Sequence, residues 1–231
     1  MKKIALLLCL FGCTTLTAQV FTPAFDLFSV KEVAYINLEN GTLIEGIMKA
    51  VNRKNGLITS VVLTPTGTNK KLKINSEEIL NMYLPISSFN KFDNAVNRAF
   101  NKHIKGINIE ITDHGYAYFE KTKVVKKNEI EELLLQLVNP SFSDKIKVYD
   151  IPLSKQTTST EIGGIGIELN ENKAYFVKVG EATAVKLRKK DYDEAYTALY
   201  KDCPVLVNNL KDDHRWSKFG EHLWTYTKQC N

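Results

Sequence analysis

Two Asn-Gly pairs, Asn40-Gly41 and Asn55-Gly56, separate short runs of apolar and β-branched residues near the start of the chain. Asn-Gly is the strongest short-range signal for a two-residue hairpin turn, because both residues tolerate a positive φ. The runs Val33–Leu38, Thr42–Val51 and Leu57–Thr64 are therefore predicted to be consecutive antiparallel strands. A chain that turns back this often is expected to form a meandering sheet.

Two further strands complete this first unit. Residues Lys71–Ile74 alternate between lysine and apolar side chains, so Leu72 and Ile74 are expected to face inward. Ser76 is placed to cap a single helical turn, and the apolar run Ile79–Leu84 follows as a fifth strand. Four meandering strands, a helical turn and a fifth strand form the order of an SH3-like or Sm-like small barrel, which closes its own edges.

The glycine-rich stretches do not indicate a nucleotide site. Gly41 and Gly46 flank the start of a predicted strand, and Gly163-Gly164-Ile165-Gly166 also precedes strand-like residues. A phosphate-binding loop requires a glycine-rich run that opens a helix. We therefore expect Gly41 at a turn and Gly46 at a bend over the barrel core, and we predict no cofactor.

A helix is predicted between two β-rich regions. Five apolar residues recur at helical spacing and are expected to form one packed face: Phe89, Phe92, Val96, Phe100 and Ile104. The period changes to two at Ile107–Ile111, and strand composition continues beyond it. Leu133–Val138 is compatible with a helix or a buried strand. The strand is favoured because Asn139-Pro140 ends it, and Ile146–Ile151 is then its hairpin partner.

The C-terminal part of the chain is predicted to form three short helices. Asp191 and Glu194 have the spacing of a capping box, Pro204 opens a second helix, and Ser217 is placed to cap a third. The side chains expected to be buried in these helices are Tyr192, Ala195, Tyr196, Leu199, Val205, Val207, Leu210, Leu223, Trp224 and Tyr226.

The predicted fold class is a β-rich α+β protein with an N-terminal SH3-like or Sm-like barrel, a β-meander middle and three short C-terminal helices. A hydrophobic content of 44% and a charged content of 25% exclude a disordered, collagenous or multi-span membrane protein. The predicted divisions are a signal peptide at 1–18, an SH3-like β-barrel unit at 19–87, a helical bridge at 88–105, a β-rich unit at 106–188 and C-terminal helices at 189–231.

The first residues have the pattern of an export signal. Lys2 and Lys3 precede an apolar run, Ile4–Phe11, that is too short to cross a bilayer. Small residues then lead to an expected cleavage between Ala18 and Gln19, which predicts a periplasmic or secreted protein without a transmembrane span. In the alternative interpretation, Leu10-Phe11-Gly12-Cys13 is a lipobox, and Cys13 becomes the acylated anchor of a lipoprotein.

The cysteine count agrees with export. Cleavage at Ala18 leaves Cys203 and Cys230, an even pair in a compartment that permits oxidation. We expect a disulfide between them, which would hold the junction of the first two helices to the end of the chain. Two unpaired buried thiols, or a redox or metal role, are the alternatives, although the spacing matches no CxxC motif and no zinc-ligand histidine pair flanks it.

Charge gives only weak information about partners. Removing Lys2 and Lys3 with the signal lowers the formal net charge from +5 to +3, which does not by itself imply a polyanionic partner. Two basic runs remain, Lys121–Lys127 and Lys186–Lys190. The first is expected on an edge strand with its lysines in solvent. An anionic glycan or a lipid headgroup is a candidate partner for these runs, whereas export argues against nucleic acid.

No catalytic or metal-binding motif is present in the sequence. The chain has four histidines, and no two of them have the spacing of a helical metal-ligand pair. A dispersed active site is the remaining enzymatic possibility, and it would require a deep pocket lined by two or more of Asp113, His114, Glu120, Asp212 and His214. We therefore predict no catalytic, cofactor-binding or metal-binding residues, and we lean against an enzyme.

Several segments together resemble uncharacterised secreted proteins of Bacteroidota bacteria. The resemblance covers most of the mature chain, but its motifs are structural, so it implies export without implying an activity, cofactor or catalytic residue. A Tyr-Asn-x-Cys-like ending is associated with such proteins, and Thr227-Lys228-Gln229-Cys230 keeps only its cysteine. The segments that carry the resemblance are Thr17-Ala18-Gln19, Gly41–Gly46, Leu133–Pro140, Lys147-Val148-Tyr149, Ala174–Lys178, Asp202-Cys203-Pro204 and Cys230-Asn231.

The leading functional prediction is a non-enzymatic secreted or cell-envelope protein that binds an unidentified partner through a β-rich surface. That partner is expected to be an envelope protein, a glycan or a lipid headgroup. The alternative is a hydrolase or glycan-modifying enzyme with a dispersed active site. A third possibility, a stress or surface-maintenance lipoprotein, depends on acylation of Cys13.

Overall fold

A computed structural model of the chain describes residues 21–87, 115–151, 159–162, 165–168, 173–209 and 213–230. The predicted signal peptide, the predicted helical bridge at 88–105 and the alternating residues Ile107–Ile111 lie outside these ranges. The strands are β1 Val33–Leu38, β2 Leu43–Lys54, β3 Leu57–Pro65, β4 Leu72–Asn75, β5 Ile79–Pro85, β6 Tyr116–Lys126, β7 Glu129–Gln136, β8 Ile146–Asp150, β9 Ser159–Ile162, β10 Ile165–Glu168, β11 Ala174–Val179 and β12 Val185–Arg188. The helices are α1 Tyr192–Leu199, α2 Pro204–Asn209 and α3 Phe219–Gln229.

The largest element is a seven-stranded antiparallel sheet in the order β4-β3-β2-β1-β5-β6-β7. Both predicted Asn-Gly hairpins are confirmed. Asn55 and Gly56 have φ values of 50° and 78° at the β2–β3 turn, and Gly41 has a φ of 82° at the β1–β2 turn. The predicted β-rich fold with short C-terminal helices is therefore present.

The closed SH3-like or Sm-like barrel is not found in the described part of the chain. β5 returns beside β1 as expected, but its second edge pairs with β6 instead of closing the sheet. The sheet therefore stays open, with β4 and β7 at its edges. It is nevertheless strongly coiled, because β3 and β7 come within 8 Å of each other at their Cα atoms without forming a ladder.

A close backbone approach at Gly46 contributes to this coiling. Gly46 on β2 lies opposite Pro65 on β3, and a Cβ atom at this position would collide with the Thr64 carbonyl oxygen and lie 2.8 Å from Pro65 Cα. The β2–β3 register also shifts twice, once between Met48 and Ala50. Such irregularities bend a strand and increase its twist, so β2 wraps over the core instead of remaining flat.

A smaller sheet and the helices form two further layers. The smaller sheet has the order β12-β11-β8, and α1, α2 and α3 cover one of its faces. Strand alternation separates the layers. On β8, Val148 packs toward the helices, whereas Tyr149 packs toward the large sheet; Val177 and Phe176 divide in the same way on β11. The predicted strand at Leu133–Val138 is confirmed as the end of β7 and the residues after it. Its ladder partner is β6, whereas the predicted partner, β8, has its ladder with β11 and meets this strand at an antiparallel Leu137–Tyr149 bridge.

Three apolar cores result from this layering. The sheet core lies inside the coiled sheet and is mostly aliphatic. A middle core between the two sheets contains Tyr83, Tyr118 and Tyr149. The helix core lies between the small sheet and the helices and contains Tyr192, Tyr196, Tyr200 and Tyr226.

The segment before β1 joins the outer two cores. Phe21 packs in the helix core, and Phe25 is buried in the sheet core. Between them, the Gln136 amide donates to the Pro23 carbonyl oxygen at 2.8 Å, and the Phe25 N–H donates back to the Gln136 side-chain oxygen at 2.9 Å. The segment is therefore held to β7 at Pro23 and Phe25, and Phe28 further along pairs with Ile86 after β5.

The three C-terminal helices are confirmed, but their predicted caps are wrong. Asp191 precedes α1 without a side-chain capping bond, because its carboxylate pairs with Arg188 instead. Ser217 lies inside a single 3₁₀ turn before α3. In the first unit, Asn75 rather than Ser76 caps the helical turn, and the Asn75 N–H donates to the Glu78 carboxylate at 3.0 Å.

Three burial predictions are corrected. Leu206, rather than Val205 or Val207, is the fully buried residue of α2, and Leu210 lies outside the described residues. Leu72 is exposed because β4 is an edge strand, whereas Ile74 is buried as expected. β6 is not an edge strand of the sheet, but its ladder with β5 ends at Glu120. The Lys121–Lys127 run therefore has a ladder with β7 on one edge, and its other edge forms a bridge between Val124 and Ala184.

The predicted disulfide between Cys203 and Cys230 is present. Their Cα atoms are 5.2 Å apart, which is within the usual range for a disulfide, and both residues are buried. Cys203 precedes α2 and Cys230 follows α3, so the bond joins the start of α2 to the end of α3 within the helix core.

Candidate ligand-binding cleft

The gap that the incomplete barrel leaves between β3 and β7 is a cleft of about 970 Å³. The β2–β3 turn and the β6–β7 turn border it on one side, and β12 of the small sheet borders it on the other. Ligand-binding pockets in proteins commonly have volumes of ~300–1,000 Å³, so the cleft is large enough for a small molecule or an extended segment.

The floor of the cleft is apolar. It is formed by side chains from β3, β7 and β11, which the sheet layering brings to one place: Leu57, Ile58, Leu133, Leu134, Leu135 and Phe176. Val185 stands at the mouth with 53% of its surface exposed. Exposed apolar surface next to an apolar cavity is typical of a binding site, because a ligand can remove both from water.

The rim of the cleft is rich in lysine. Lys54 comes from the β2–β3 turn, Lys126 and Lys127 come from the β6–β7 turn, and Lys186 comes from β12. Glu77 and Glu132 are the two acidic residues among the described lining residues. Lys126 pairs with Glu131 at 2.9 Å, whereas no described carboxylate lies within 4 Å of Lys54, Lys127 or Lys186.

Glu120, one of the five residues proposed for a dispersed active site, belongs to a polar network between the sheets. Its carboxylate accepts hydrogen bonds from Lys147 at 2.8 and 2.9 Å, from the Tyr118 hydroxyl at 3.3 Å and from the Tyr149 hydroxyl. Burial, strengthened by this carboxylate, raises the pKa of Tyr118 and Tyr149 well above the usual tyrosine value. Both hydroxyls therefore remain protonated donors, and the network links β6 to β8.

His214 belongs to a different group of side chains. Its ring stacks on Tyr196 with a centroid distance of 3.8 Å, and its Nδ1 lies 2.9 Å from an Asp193 carboxylate oxygen. Neither His214 nor Glu120 lines the cleft. Asp113, His114 and Asp212 lie outside the described residues, and the two described members of the five, Glu120 and His214, belong to separate groups of side chains.

A second histidine lies inside the helix core. The His222 side chain is 1% exposed, and its Nδ1 is 2.7 Å from the Tyr192 hydroxyl, which is itself 3.3 Å from the Tyr200 hydroxyl. Burial lowers the pKa of His222 to about 4, so the imidazole is neutral at pH 7. No described atom forms a hydrogen bond with its Nε2.

Other sites are limited in the part of the chain that the structure describes. Those residues contain no group of three or more histidine, cysteine, aspartate or glutamate side chains arranged to hold a metal ion. They also contain no helix that combines the length and the apolar character needed to cross a bilayer. A smaller polar depression of about 350 Å³ is lined by residues such as Lys121 and Lys178, and these two lysines are paired with Glu39 and Glu181.

Local sequence patterns do not predict the cleft, because its lining comes from several separate segments of the chain. One signal was available: the two hairpin turns that border it both place an asparagine after lysine, at Lys54-Asn55 and Lys127-Asn128. Their proximity depends on the coiling of the sheet, which hydrophobic periodicity does not report.

Comparisons with known proteins identify no relative. No protein-family model, curated protein or solved structure matches the chain significantly. The class of protein that the fold and cleft define is therefore a three-layer β-rich protein with an open, coiled sheet, and the resemblance to secreted Bacteroidota proteins stays a prediction.

Proposed function

We propose that this protein is an exported, non-enzymatic binding protein whose partner enters the cleft between β3 and β7. The observation that carries the proposal is the cleft itself, which combines an apolar floor, an exposed Val185 at its mouth and a lysine-rich rim. This arrangement supports binding because removing apolar surface from water stabilises the complex with a partner.

Export is supported by three observations. The first residues have the order of a signal peptide, Cys203 and Cys230 form a disulfide, and disulfides persist mainly in oxidising compartments. Shortly after the proposed cleavage site, Phe21 packs in the helix core, and Pro23 and Phe25 are hydrogen-bonded to Gln136 of β7. Mass spectrometry of the mature protein tests the proposal: Gln19 at the N-terminus supports a released protein, acylated Cys13 supports the lipoprotein alternative, and an intact Met1 contradicts export.

A non-enzymatic role is supported by the chemistry of the described lining residues. They contain lysines, two glutamates and the hydroxyls of Thr59 and Ser76, and no hydrogen bond among the described residues joins either hydroxyl to a lysine or glutamate side chain that could act as its base. Hydrolysis by a serine nucleophile requires a positioned general base. The alternative of a hydrolase or glycan-modifying enzyme depends on Asp113, His114 and Asp212, and the surroundings of Glu120 and His214 add no support to it.

Affinity capture with matched variants tests the role of the cleft. Val185→Asp places a carboxylate at the mouth, and Val179→Asp makes the same change at a comparably exposed position, 43% against 53%, that does not line the cleft. From envelope extracts, the wild-type protein and Val179→Asp are expected to retain the same partner or ligand, and Val185→Asp is expected to lose it. Identical material captured by all three proteins would contradict the proposal.

A further inference from the structure

We infer that the occupant of the cleft is a single-chain amphiphile with an anionic head group, of the fatty-acid type. This inference rests on the proposed function, because it names the ligand class for the same cleft. It follows from two features of the lining, each of which would contact a different part of the ligand. These are the apolar floor and the rim lysines that have no carboxylate partner among the described residues.

The floor fits an aliphatic chain better than a polar ligand. Its accessible apolar surface comes from Val185 and from the partly buried Leu57 and Leu133. The other floor residues are each at most 6% exposed: Ile58, Leu134, Leu135 and Phe176. The carbon atoms of these side chains cannot form hydrogen bonds. A glycan placed on them would lose hydrogen bonds to water without replacement, which is unfavourable. Single-stranded nucleic acid prefers exposed aromatic rings for base stacking, whereas Phe176 is the one aromatic residue among the described lining residues and is only 5% exposed.

The rim defines the charge of the head group. Lys54, Lys127 and Lys186 are exposed and have no carboxylate within 4 Å among the described residues. They come from three separate segments, and the fold brings them to the same opening. Their three positive charges exceed the two negative charges of Glu77 and Glu132. An anionic head group is therefore favoured there, and a cationic one is disfavoured.

Three ligands with the same chain length separate the contributions of chain and head group. Dodecanoate is anionic, dodecanol is neutral and dodecyltrimethylammonium is cationic, and each is used below its micelle concentration. Isothermal titration calorimetry of the full mature chain is expected to give the order dodecanoate, dodecanol, dodecyltrimethylammonium from tightest to weakest. Exposed charge pairs contribute little individually, so we expect dodecanoate to bind about five- to tenfold more tightly than dodecanol.

Two variant pairs locate the ligand. Lys127→Gln/Lys186→Gln is expected to remove the preference for dodecanoate while leaving dodecanol binding unchanged, and Lys49→Gln/Lys73→Gln is the control because both lysines are exposed outside the cleft. Val185→Asp is expected to weaken dodecanoate by about tenfold or more, through lost apolar contact and like-charge repulsion. Val179→Asp is its control, and circular dichroism verifies that each variant is folded.

The outcomes distinguish this inference from the proposed function. Equal affinity for dodecanoate and dodecanol overturns the anionic head group, and dodecanoate binding that Val185→Asp does not weaken overturns the cleft as its site. If no dodecyl compound binds but Val185→Asp still abolishes capture of a partner, the amphiphile is wrong and the binding function stands. If neither measurement depends on Val185, both proposals are wrong.

Discussion

The sheet core and the helix core of this protein are similar in extent but differ in the side chains that fill them. The sheet core is built largely from aliphatic residues and methionine, and its members come from alternate positions of neighbouring strands. The helix core instead contains four buried tyrosines, a buried histidine and a disulfide. Tyrosine hydroxyls require hydrogen-bond partners when they are buried.

This difference determines which kinds of change destabilise each core. An aliphatic core depends on volume, because its contacts are non-directional and a lost methyl group leaves a cavity. The helix core depends in addition on individual polar atoms, such as the Tyr226 hydroxyl that donates to Asp202 at 2.7 Å. We therefore expect the sheet core to respond to side-chain truncation, and the helix core to respond also to reduction, to loss of one hydroxyl and to acid.

The largest effect is expected from truncating the sheet core. Leu63 on β3 is fully buried, and Leu63→Ala should lower the free energy of unfolding by about 2–5 kcal/mol through lost burial and the cavity left behind. Urea unfolding followed by circular dichroism measures the change. Leu43→Ala, at a residue with 52% of its surface exposed, is the control and should change stability by less than about 0.5 kcal/mol. Equal effects at both positions would contradict the assignment of the core.

Reduction of the disulfide should have the next largest effect and should be concentrated in the helix core. Cys203 and Cys230 are separated by 27 residues in sequence, so the chain-entropy contribution of the bond is about 3–4 kcal/mol. Hydrogen exchange with and without dithiothreitol is expected to show faster exchange in α1, α2 and α3 and little change in β1, β2 and β3. Dithiothreitol should have no effect on a Cys203→Ala/Cys230→Ala variant. Equal acceleration in sheet and helices would show that the two cores unfold as one unit.

Loss of a single hydroxyl tests the polar dependence of the helix core. Tyr192→Phe removes the hydroxyl that bonds to His222 Nδ1, and leaves that buried nitrogen without its partner. The expected cost is about 1–3 kcal/mol in the free energy of unfolding, measured with urea. Tyr175→Phe, which keeps the ring of another tyrosine packed against this core, is the comparison, and a larger loss there would contradict the importance of the Tyr192–His222 bond.

Titration of His222 is expected to have the smallest effect on the free energy of unfolding at neutral pH, and this effect depends on a single side chain. Burial lowers its pKa to about 4, whereas an unfolded histidine titrates near ~6.5. The unfolded chain therefore binds more protons than the folded chain between these values, so stability should fall as the pH is lowered from about 6.5 to 4. Among the nearby groups, Asp213 raises this pKa, and Lys218 and His214 lower it.

Urea midpoints at a series of pH values measure this dependence. His222→Phe should flatten the curve between pH 6.5 and 4, because it removes the group that the folded state keeps neutral. His214→Gln is the comparison: because His214 lowers the pKa of His222, its removal should reduce the pH dependence without abolishing it. Identical slopes for wild type and His222→Phe would contradict a neutral buried imidazole.

The candidate site shows why local patterns were insufficient for function. The sequence predicts that the lysines of the Lys121–Lys127 run lie in solvent, and Lys126 and Lys127 are exposed, as is Lys186 of the second run. These lysines become candidate ligand contacts only because the β6–β7 turn and β12 line the same cleft. That proximity joins residues far apart in sequence, and single-chain periodicity contains no information about it.

The sequence by itself determined the local elements of this protein. Asn55-Gly56 specified a hairpin because both residues accept positive φ, apolar and β-branched runs indicated β1 and β5, alternation indicated β4, and Pro204 marked the start of α2. The pairing of Cys203 with Cys230 also followed from the sequence, since they are the two cysteines that remain after the proposed signal cleavage.

Only the tertiary structure decided how the strands were combined. β5 pairs with β6 instead of closing a barrel. That choice depends on which other strand offers its backbone hydrogen-bonding groups to the free edge of β5, and β6 lies far along the chain from the strands of the first unit. The caps at Asp191 and Ser217 were decided in the same way, by partners such as Arg188 that propensity does not include. Short-range conformational preference fixes turns and strands, whereas long-range competition for hydrogen bonds and buried area fixes the sheet order and hence the cleft.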